Sequence, residues 1–443
     1  REDALLGYIC QGTARSLLEN MARQIVETRQ RAFTWTGPYG GGKSSLALML
    51  CSLVGPQPKL RSRARALLGF DDKSLVNRAF DAKGEGWLVL PVVGKRGSVI
   101  QELSAALARA QGLAPPRKKS TDVIGELVAA ADRNPHGVLV VVDELGKFLE
   151  ASAQDGDDIY FFQELAEAAS RCAGKLVVVG VLHQAFEAYA SRLGRDARDD
   201  WAKVQGRFVD IPLVAATDEV IELVGRAITV ADGPDISEAA RFADRVAAAI
   251  RSRRPGTPPG LAESLKACWP LHPVTAALLG PISKRRFGQN ERSTFGFLAS
   301  REPVGFVEFL NGYPAEWRYM YGPARYWDYL RANLEPAILA SPDGHRWAIS
   351  AEAVERAEAK GKEIHVLVTK TVALIEMFRN GSGLVADEAV LGVSTPQASE
   401  VEIRKALSEL AEWKVLIERK HLGAWGVYAG SDFDIEGAVN AAR

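Results

Sequence analysis

At 443 residues the chain is long for a single domain, and two to four are expected. Hydrophobic residues make up 47% and charged residues 25%, an ordinary balance for a globular protein able to bury large cores. Lysine plus arginine equals aspartate plus glutamate at 55 each, which excludes a whole-protein basic field, so any nucleic-acid surface must be local.

The four cysteines, Cys10, Cys51, Cys172 and Cys268, lie far apart with no C-x-x-C spacing. They read as buried thiols of a reducing, cytoplasmic compartment, and not as a zinc site. No apolar stretch approaches the length of a membrane span and no secretory signal is visible, so no membrane partner is expected. The first residue is Arg1, which suggests a segment of a longer polypeptide.

In chain order, Thr13 to Gln30 carries Leu17, Leu18, Met21 and Ile25 with charges between them, an amphipathic helix. Ala32 to Trp35 is a short apolar strand. It leads into Gly37-Pro-Tyr-Gly-Gly-Gly-Lys-Ser44, which fits G-x-x-x-x-G-K-[ST] at every fixed position. No breaker follows until Gly55, so a helix comes next. Strand, glycine loop and helix form the setting this motif needs. Glycines let backbone N–H groups approach a phosphate, and the positive end of the helix adds to the hold. Candidate contacts are Gly37, Pro38, Tyr39, Gly40, Gly41, Gly42, Lys43, Ser44 and Ser45. Lys43 would reach the β- and γ-phosphates of ATP, and the Ser44 hydroxyl would ligate Mg²⁺. The plain alternative is a glycine-rich turn with an incidental lysine.

Trp87 to Val93 is a second strand, where Pro91 favours an edge or a bulge. Val99 to Ala110 and Asp122 to Arg133 read as helices. Gly137 to Glu150 is the second decisive stretch: five apolar residues end in Asp143-Glu144. A continuous apolar strand suits the centre of a parallel sheet, and acids at its carboxyl end suit the ligand crevice of open α/β sheets. This is a Walker B pattern, with Asp143 for the Mg²⁺ shell and Glu144 to polarise water. A further helix, Asp158 to Arg171, precedes the apolar strand Lys175 to Leu182, which ends in His183-Gln184. Phe208 to Leu213 is the last strand of the set. Residues 31 to 213 therefore read as a three-layer α/β domain with a largely parallel sheet.

From Ala216 to about Asn311 the pattern is helical: Asp218 to Val230, Ser237 to Arg253, Leu261 to Trp269 and Val274 onward. Residues 312 to 350, with Trp317, Tyr319, Tyr321, Tyr326, Trp327 and Tyr329, read as an aromatic-rich connector. These rings either pack against the next domain or stack on bases. Residues 351 to 443 read as a winged helix, with helices at His365 to Phe378 and Glu400 to Trp413 and a hairpin around Gly423. This stretch holds 11 lysines and arginines against 15 aspartates and glutamates, a net of −4 and a poor footprint for a DNA reader. Arg404, Lys405, Lys414, Arg419 and Lys420 nevertheless cluster locally, so nucleic acid stays open as a partner.

Asp143-Glu-Leu-Gly-Lys-Phe-Leu-Glu150, Leu271-His-Pro-Val-Thr275 and Gly288-Gln-Asn-Glu-Arg-Ser293 resemble a group of large bacterial AAA+-related P-loop ATPases. These are often found with anti-phage defence clusters of the BREX kind, and the resemblance covers about residues 30 to 310. It implies an AAA+-like P-loop NTPase core (31–215) and an α-helical lid (216–311), which stand beside the N-terminal helix (1–30), the connector (312–350) and the winged-helix domain (351–443) read from the residues. It implies that His183 or Gln184 senses the γ-phosphate, although a polar pair capping a strand is an equal alternative. It implies an arginine finger at Arg207, with Arg195 and Arg198 in reserve, although pairing with a nearby carboxylate would explain Arg207 as well. Arg292, or Lys284-Arg285-Arg286, would be the lid arginine. Partners would be further copies of the chain or proteins of a defence complex.

Two functions stand. One is an Mg²⁺-dependent ATPase that drives assembly, remodelling or movement of nucleic acid. The other is a switch or scaffold of the STAND type, or an initiator-like regulator, that binds ATP and turns over slowly. An ABC transporter is disfavoured by the lack of Leu-Ser-Gly-Gly before Walker B, and a small-molecule kinase by Glu144 directly after Asp143.

Overall fold

The computed structural model describes residues 5, 7–38, 40–71, 73–114, 122–155, 159–189, 195–230, 235–285 and 294–430. It divides into two compact units, Arg1–Ala215 and Ala216–Arg443.

The first unit is built on strands β1 (Ala32–Thr36), β2 (Leu88–Val93), β3 (Val138–Asp143), β4 (Leu176–Leu182) and β5 (Val209–Pro212), all parallel, in the order β2-β3-β4-β1-β5. Alternate side chains of these apolar runs feed two separate cores. Leu139, Val141, Val177 and Val179 join Phe33 and Trp35 under α1 (Gly12–Arg23), α2 (Lys43–Val54), α3 (Pro58–Leu68) and α4 (Leu75–Ala79). Val138, Val140, Val142, Leu176 and Val178 face the other way. They meet α5 (Val99–Ala110), α6 (Val123–Arg133), α7 (Leu145–Asp155), α8 (Tyr160–Arg171), α9 (Phe186–Tyr189) and α10 (Arg195–Gln205). A sheet covered on both faces explains why its strands read as unbroken apolar runs. Pro91 lies on β2 at the edge of the sheet, where a missing N–H is tolerated.

The second unit runs through α11 (Thr217–Ala227), α12 (Ser237–Arg253), α13 (Leu261–Ala267), α14 (Pro273–Ser283), α15 (Thr294–Ala299), α16 (Phe306–Gly312), α17 (Pro323–Leu339), α18 (Gly344–Lys360), α19 (Glu363–Phe378), α20 (Glu388–Ser394) and α21 (Glu400–Glu412). It ends in an antiparallel hairpin of β6 (Leu416–Arg419) and β7 (Ala424–Val427). The breaks expected at 312 and 351 fall inside one hydrophobic core that extends from Ile221 to Val427. Tyr321, Tyr326, Trp327 and Tyr329 are all buried in it, and Trp327 stacks on Trp347 with centroids 4.2 Å apart. Those four rings pack the interior and are not available to bases. Among the described residues no helix is long and apolar enough to cross a membrane.

Candidate functional site

The loop after β1 is shaped by its neighbour β5. Thr34 and Thr36 donate to the two carboxylate oxygens of Asp210 at 2.7 and 3.0 Å, and the Leu213 N–H donates to the Thr36 carbonyl at 2.7 Å. The Leu213 carbonyl then lies so close to Gly37 that a Cβ there would sit 2.2 Å from it. Any side chain at 37 would force the two strands apart, so packing by itself requires the first glycine of the motif. Gly40 and Gly42 have φ of 70° and 79°, a region that costs other residues strain. Gly42 also caps α2. Among the described residues no side chain caps this helix and its first turn carries no carboxylate, so its positive end is left for an anion.

Lys43 is buried, with its ammonium donating to the Gly37 and Pro38 carbonyls at 2.6 Å each. Ser44 and Ser45 are exposed on the first turn of α2. Ser44 and Asp143 share the wall of a cavity of about 190 Å³ between α2 and β2, lined also by Leu48, Cys51, Val89 and Pro91. The structure thus brings the hydroxyl and the carboxylate to one space. Among the described residues no group of three or more histidine, cysteine, aspartate or glutamate side chains could hold a metal. A serine and one carboxylate do fit Mg²⁺, which keeps several waters and takes phosphate oxygens for the remainder of its shell.

Asp143 ends β3, and one of its carboxylate oxygens accepts from the Glu144 N–H at 3.0 Å. Glu144 sits at φ 54°, a left-handed conformation rare outside glycine and a place where strain of about 1–3 kcal/mol collects at functional sites. Gly94, at the end of β2, donates to the Asp143 carbonyl at 2.7 Å, and a Cβ there would lie 2.0 Å from the Glu144 carbonyl. The side chain of Glu144 is ion-paired with Lys147 one helical turn on. Neither Gly94 nor Lys147 was singled out from the sequence. The i, i+3 spacing of Glu144 and Lys147 was a usable signal for the pair, whereas Gly94 shows its role only once β2 lies beside β3.

β4 separates the two motifs in the sheet. Thr36 is in register with Leu182 and Val142 with Gly180, so His183 follows β4 at the level of Gly37, between the glycine loop and the acids. Its Nδ1 lies 3.0 Å from the Tyr189 hydroxyl.

The remaining candidates lie elsewhere. Arg207 precedes β5, at the amino edge of the sheet, where its side chain pairs with Glu167 at 3.1 Å and its carbonyl accepts from Gln30 at 3.0 Å. The five residues of β1 span about 17 Å, so Arg207 lies across the sheet from the glycine loop of its own chain. Arg198 is exposed on α10. In the second unit Arg285 pairs with Asp343 at 3.4 Å, and partial desolvation lowers the pKa of Lys284. Tyr39, Arg286 and Arg292 lie outside the described residues, as does the side chain of Arg195.

No protein-family model matches the chain, and no curated protein does. Among solved structures it is similar to Cdc6p from Pyrobaculum aerophilum, at 12% identity and a TM-score of 0.36, covering 100% of this chain and 97% of that one. It is similar also to the Orc2 protein of Aeropyrum pernix, solved as ADPNP–ADP complexes, at 11% identity and a TM-score of 0.37, covering 98% and 95%. Likenesses this remote transfer no function and no residue's role.

Proposed function

We propose that the first unit binds ATP with Mg²⁺ and hydrolyses it, as an AAA+-like P-loop ATPase. The observation that carries this is the carboxyl edge of the sheet. Three adjacent strands end there in the glycine loop with Lys43, in His183, and in Asp143-Glu144. Backbone N–H groups of the loop and of the first turn of α2 would hold the phosphates, and Lys43 would leave the Gly37 and Pro38 carbonyls to meet them. Ser44 and Asp143 would hold Mg²⁺, whose charge offsets that developing on the transferred phosphoryl group. Glu144 would orient and polarise the attacking water, and His183 would donate to the terminal phosphate. Arg207 could reach a nucleotide only in a second copy, which makes a homo-oligomer part of the proposal.

A second reading, a slow-turnover switch or scaffold, is favoured by one observation. Two of the charged groups of the site are engaged within the chain, Glu144 by Lys147 and Lys43 by its own loop. The membership of a bacterial anti-phage system implied by the sequence resemblance belongs with either reading.

The last elements of the second unit, α19, α20, α21 and the β6–β7 hairpin, follow in the order expected of a winged helix. Of the five basic residues clustered there, Arg404 pairs with Glu388 at 2.7 Å, Lys405 with Glu409 at 3.9 Å and Arg419 with Glu376. The stretch from 351 to 443 also carries a net charge of −4, a poor footprint for a DNA reader. The wing therefore serves packing or a protein partner in this proposal.

The test is nucleotide titration followed by multiple-turnover hydrolysis with Mg²⁺, with and without DNA. Lys43→Ala should lose ATP binding and keep its fold, since the two short bonds of its ammonium run to carbonyls of its own loop. Unchanged affinity in that variant would sink the assignment of the site. Binding without repeated turnover would select the switch.

A further inference from the structure

The side chain that ties the site together is one that no motif marks. Tyr189 ends the single-turn helix α9 and is buried, with 7% of its surface exposed. Its hydroxyl lies 3.0 Å from His183 Nδ1 and 3.5 Å from Nε2, and the two rings meet edge to face at 84° with centroids 5.5 Å apart. The same tyrosine lies against the first turn of α7, the helix that starts directly after Glu144. A Cβ at Gly146 would sit 2.3 Å from the hydroxyl and 2.4 Å from the ring carbon that carries it. One rigid ring thus touches the residue at the end of β4 and the helix that holds the acidic end of β3.

The opening at Gly146 is matched beneath it. Gly180 of β4 likewise leaves room for the Leu145 side chain, whose Cδ2 would lie 2.3 Å from a Cβ there. A ring bonded at Nδ1 and met edge-on is restricted to few rotamers.

We propose that Tyr189 is the positioning residue for His183. It sets the orientation of the imidazole toward the terminal phosphate and couples that orientation to the helix beginning at Glu144. This rests on the reading of His183 as the group that meets the phosphate.

Four proteins test it: wild type, His183→Gln, Tyr189→Phe and the double variant, each assayed for kcat, KM for Mg·ATP and melting temperature. Phenylalanine keeps the ring and its packing and removes only the hydroxyl. Tyr189→Phe should lower kcat about threefold to tenfold, the worth of one hydrogen bond, with KM within about twofold by the same rule. In the double variant the loss should be no greater than that of His183→Gln alone, because a positioning role vanishes with the residue positioned. Losses that multiply, or a wild-type kcat in Tyr189→Phe or in His183→Gln, would overturn the proposal. So would a kcat loss that merely follows a lowered melting temperature.

Failure of the wider reading looks different: wild-type protein without ATP turnover. The ring nitrogen signals of ¹⁵N-histidine-labelled protein then decide, with His183→Gln assigning the resonance. Tyr189→Phe should move the His183 signals, and unmoved signals would overturn the positioning role whatever the reaction is.

Discussion

The two units spend their polar and aromatic residues in opposite ways. In the second, the conspicuous ones are absorbed by structure. His272, in the Leu271-His-Pro-Val-Thr275 phrase, accepts from the Val274 N–H and so caps α14, while its Nε2 donates to the Val393 carbonyl at 3.0 Å. Tyr321 donates to the Val304 carbonyl at 2.6 Å, and Tyr329 to Glu302 at 2.8 Å. In the first unit the conspicuous residues gather at one edge of the sheet, where β1, β4 and β3 end in the glycine loop, His183 and Asp143-Glu144. Backbone at positive φ does not separate the units, since Val304 and Lys414 share it with Glu144. What separates them is that gathering at one edge, and a distinctive sequence phrase is not by itself a site.

The largest effect expected from that contrast is at Glu144. Glu144→Gln keeps the shape and loses the carboxylate that polarises water, so hydrolysis should fall about 10²- to 10⁴-fold while ATP affinity and melting temperature stay near wild type. The substitution also removes the ion pair with Lys147, which is exposed and contributes little to stability. Normal turnover would move the catalytic acid elsewhere.

His272 sharpens the other side. Its full burial lowers its pKa to about 4, the hydrogen bond to Val393 opposing the shift. The unfolded chain takes up a proton below about pH 6.5 that the folded chain refuses until about 4. Stability is therefore fully present above pH 6.5 and declines as pH falls through that window, by up to about 3 kcal/mol. Denaturant titrations of wild type and His272→Asn at pH 7.5 and 4.5 measure it. The wild type should lose more stability than the variant, and equal losses would mean that the histidine is not held neutral. ATP binding at pH 7.5 should be alike in the two, since His272 serves structure.

How much of this could be read from the chain follows from the same contrast. The strands were legible because a sheet buried on both faces demands unbroken apolar runs, and Pro91 announced its edge position because proline lacks a donor. The glycine loop and the acid pair were legible because their chemistry needs those residue types at fixed spacing. The interior of the second unit was not. Helices from 323 to 360 carry aromatic residues whose partners, such as Phe297 for Tyr326 and Trp347 for Trp327, are set by tertiary packing alone. Read locally, they looked like a connector. Tyr189, Gly94 and Gly146 were invisible for the same reason: each matters through a neighbour distant in sequence or through the absence of a side chain.

The smallest effect on stability is expected at Arg207, and there the comparison can be broken. Arg207 belongs to the first unit yet behaves like the residues of the second: its guanidinium pairs with Glu167 and its carbonyl is bonded by Gln30. About half of its side chain is exposed, so Arg207→Ala should cost less than about 1 kcal/mol of stability. ATP affinity should not change, because the residue lies at the amino edge of the sheet. Turnover decides what else it does. An exposed ion pair opens cheaply, so pairing with Glu167 leaves Arg207 able to serve a neighbouring copy. As a finger it would stabilise charge on the transferred phosphoryl and its loss would cost roughly 10³- to 10⁵-fold in rate. Mixing Arg207→Ala with Glu144→Gln protein separates the roles. If sites are shared between copies, each variant damages a different half of the interface, and some interfaces pair two intact halves, so activity returns on mixing. If Arg207 only joins β5 to α8 within its own chain, Arg207→Ala turns over like wild type and the mixture shows only the average of its parts.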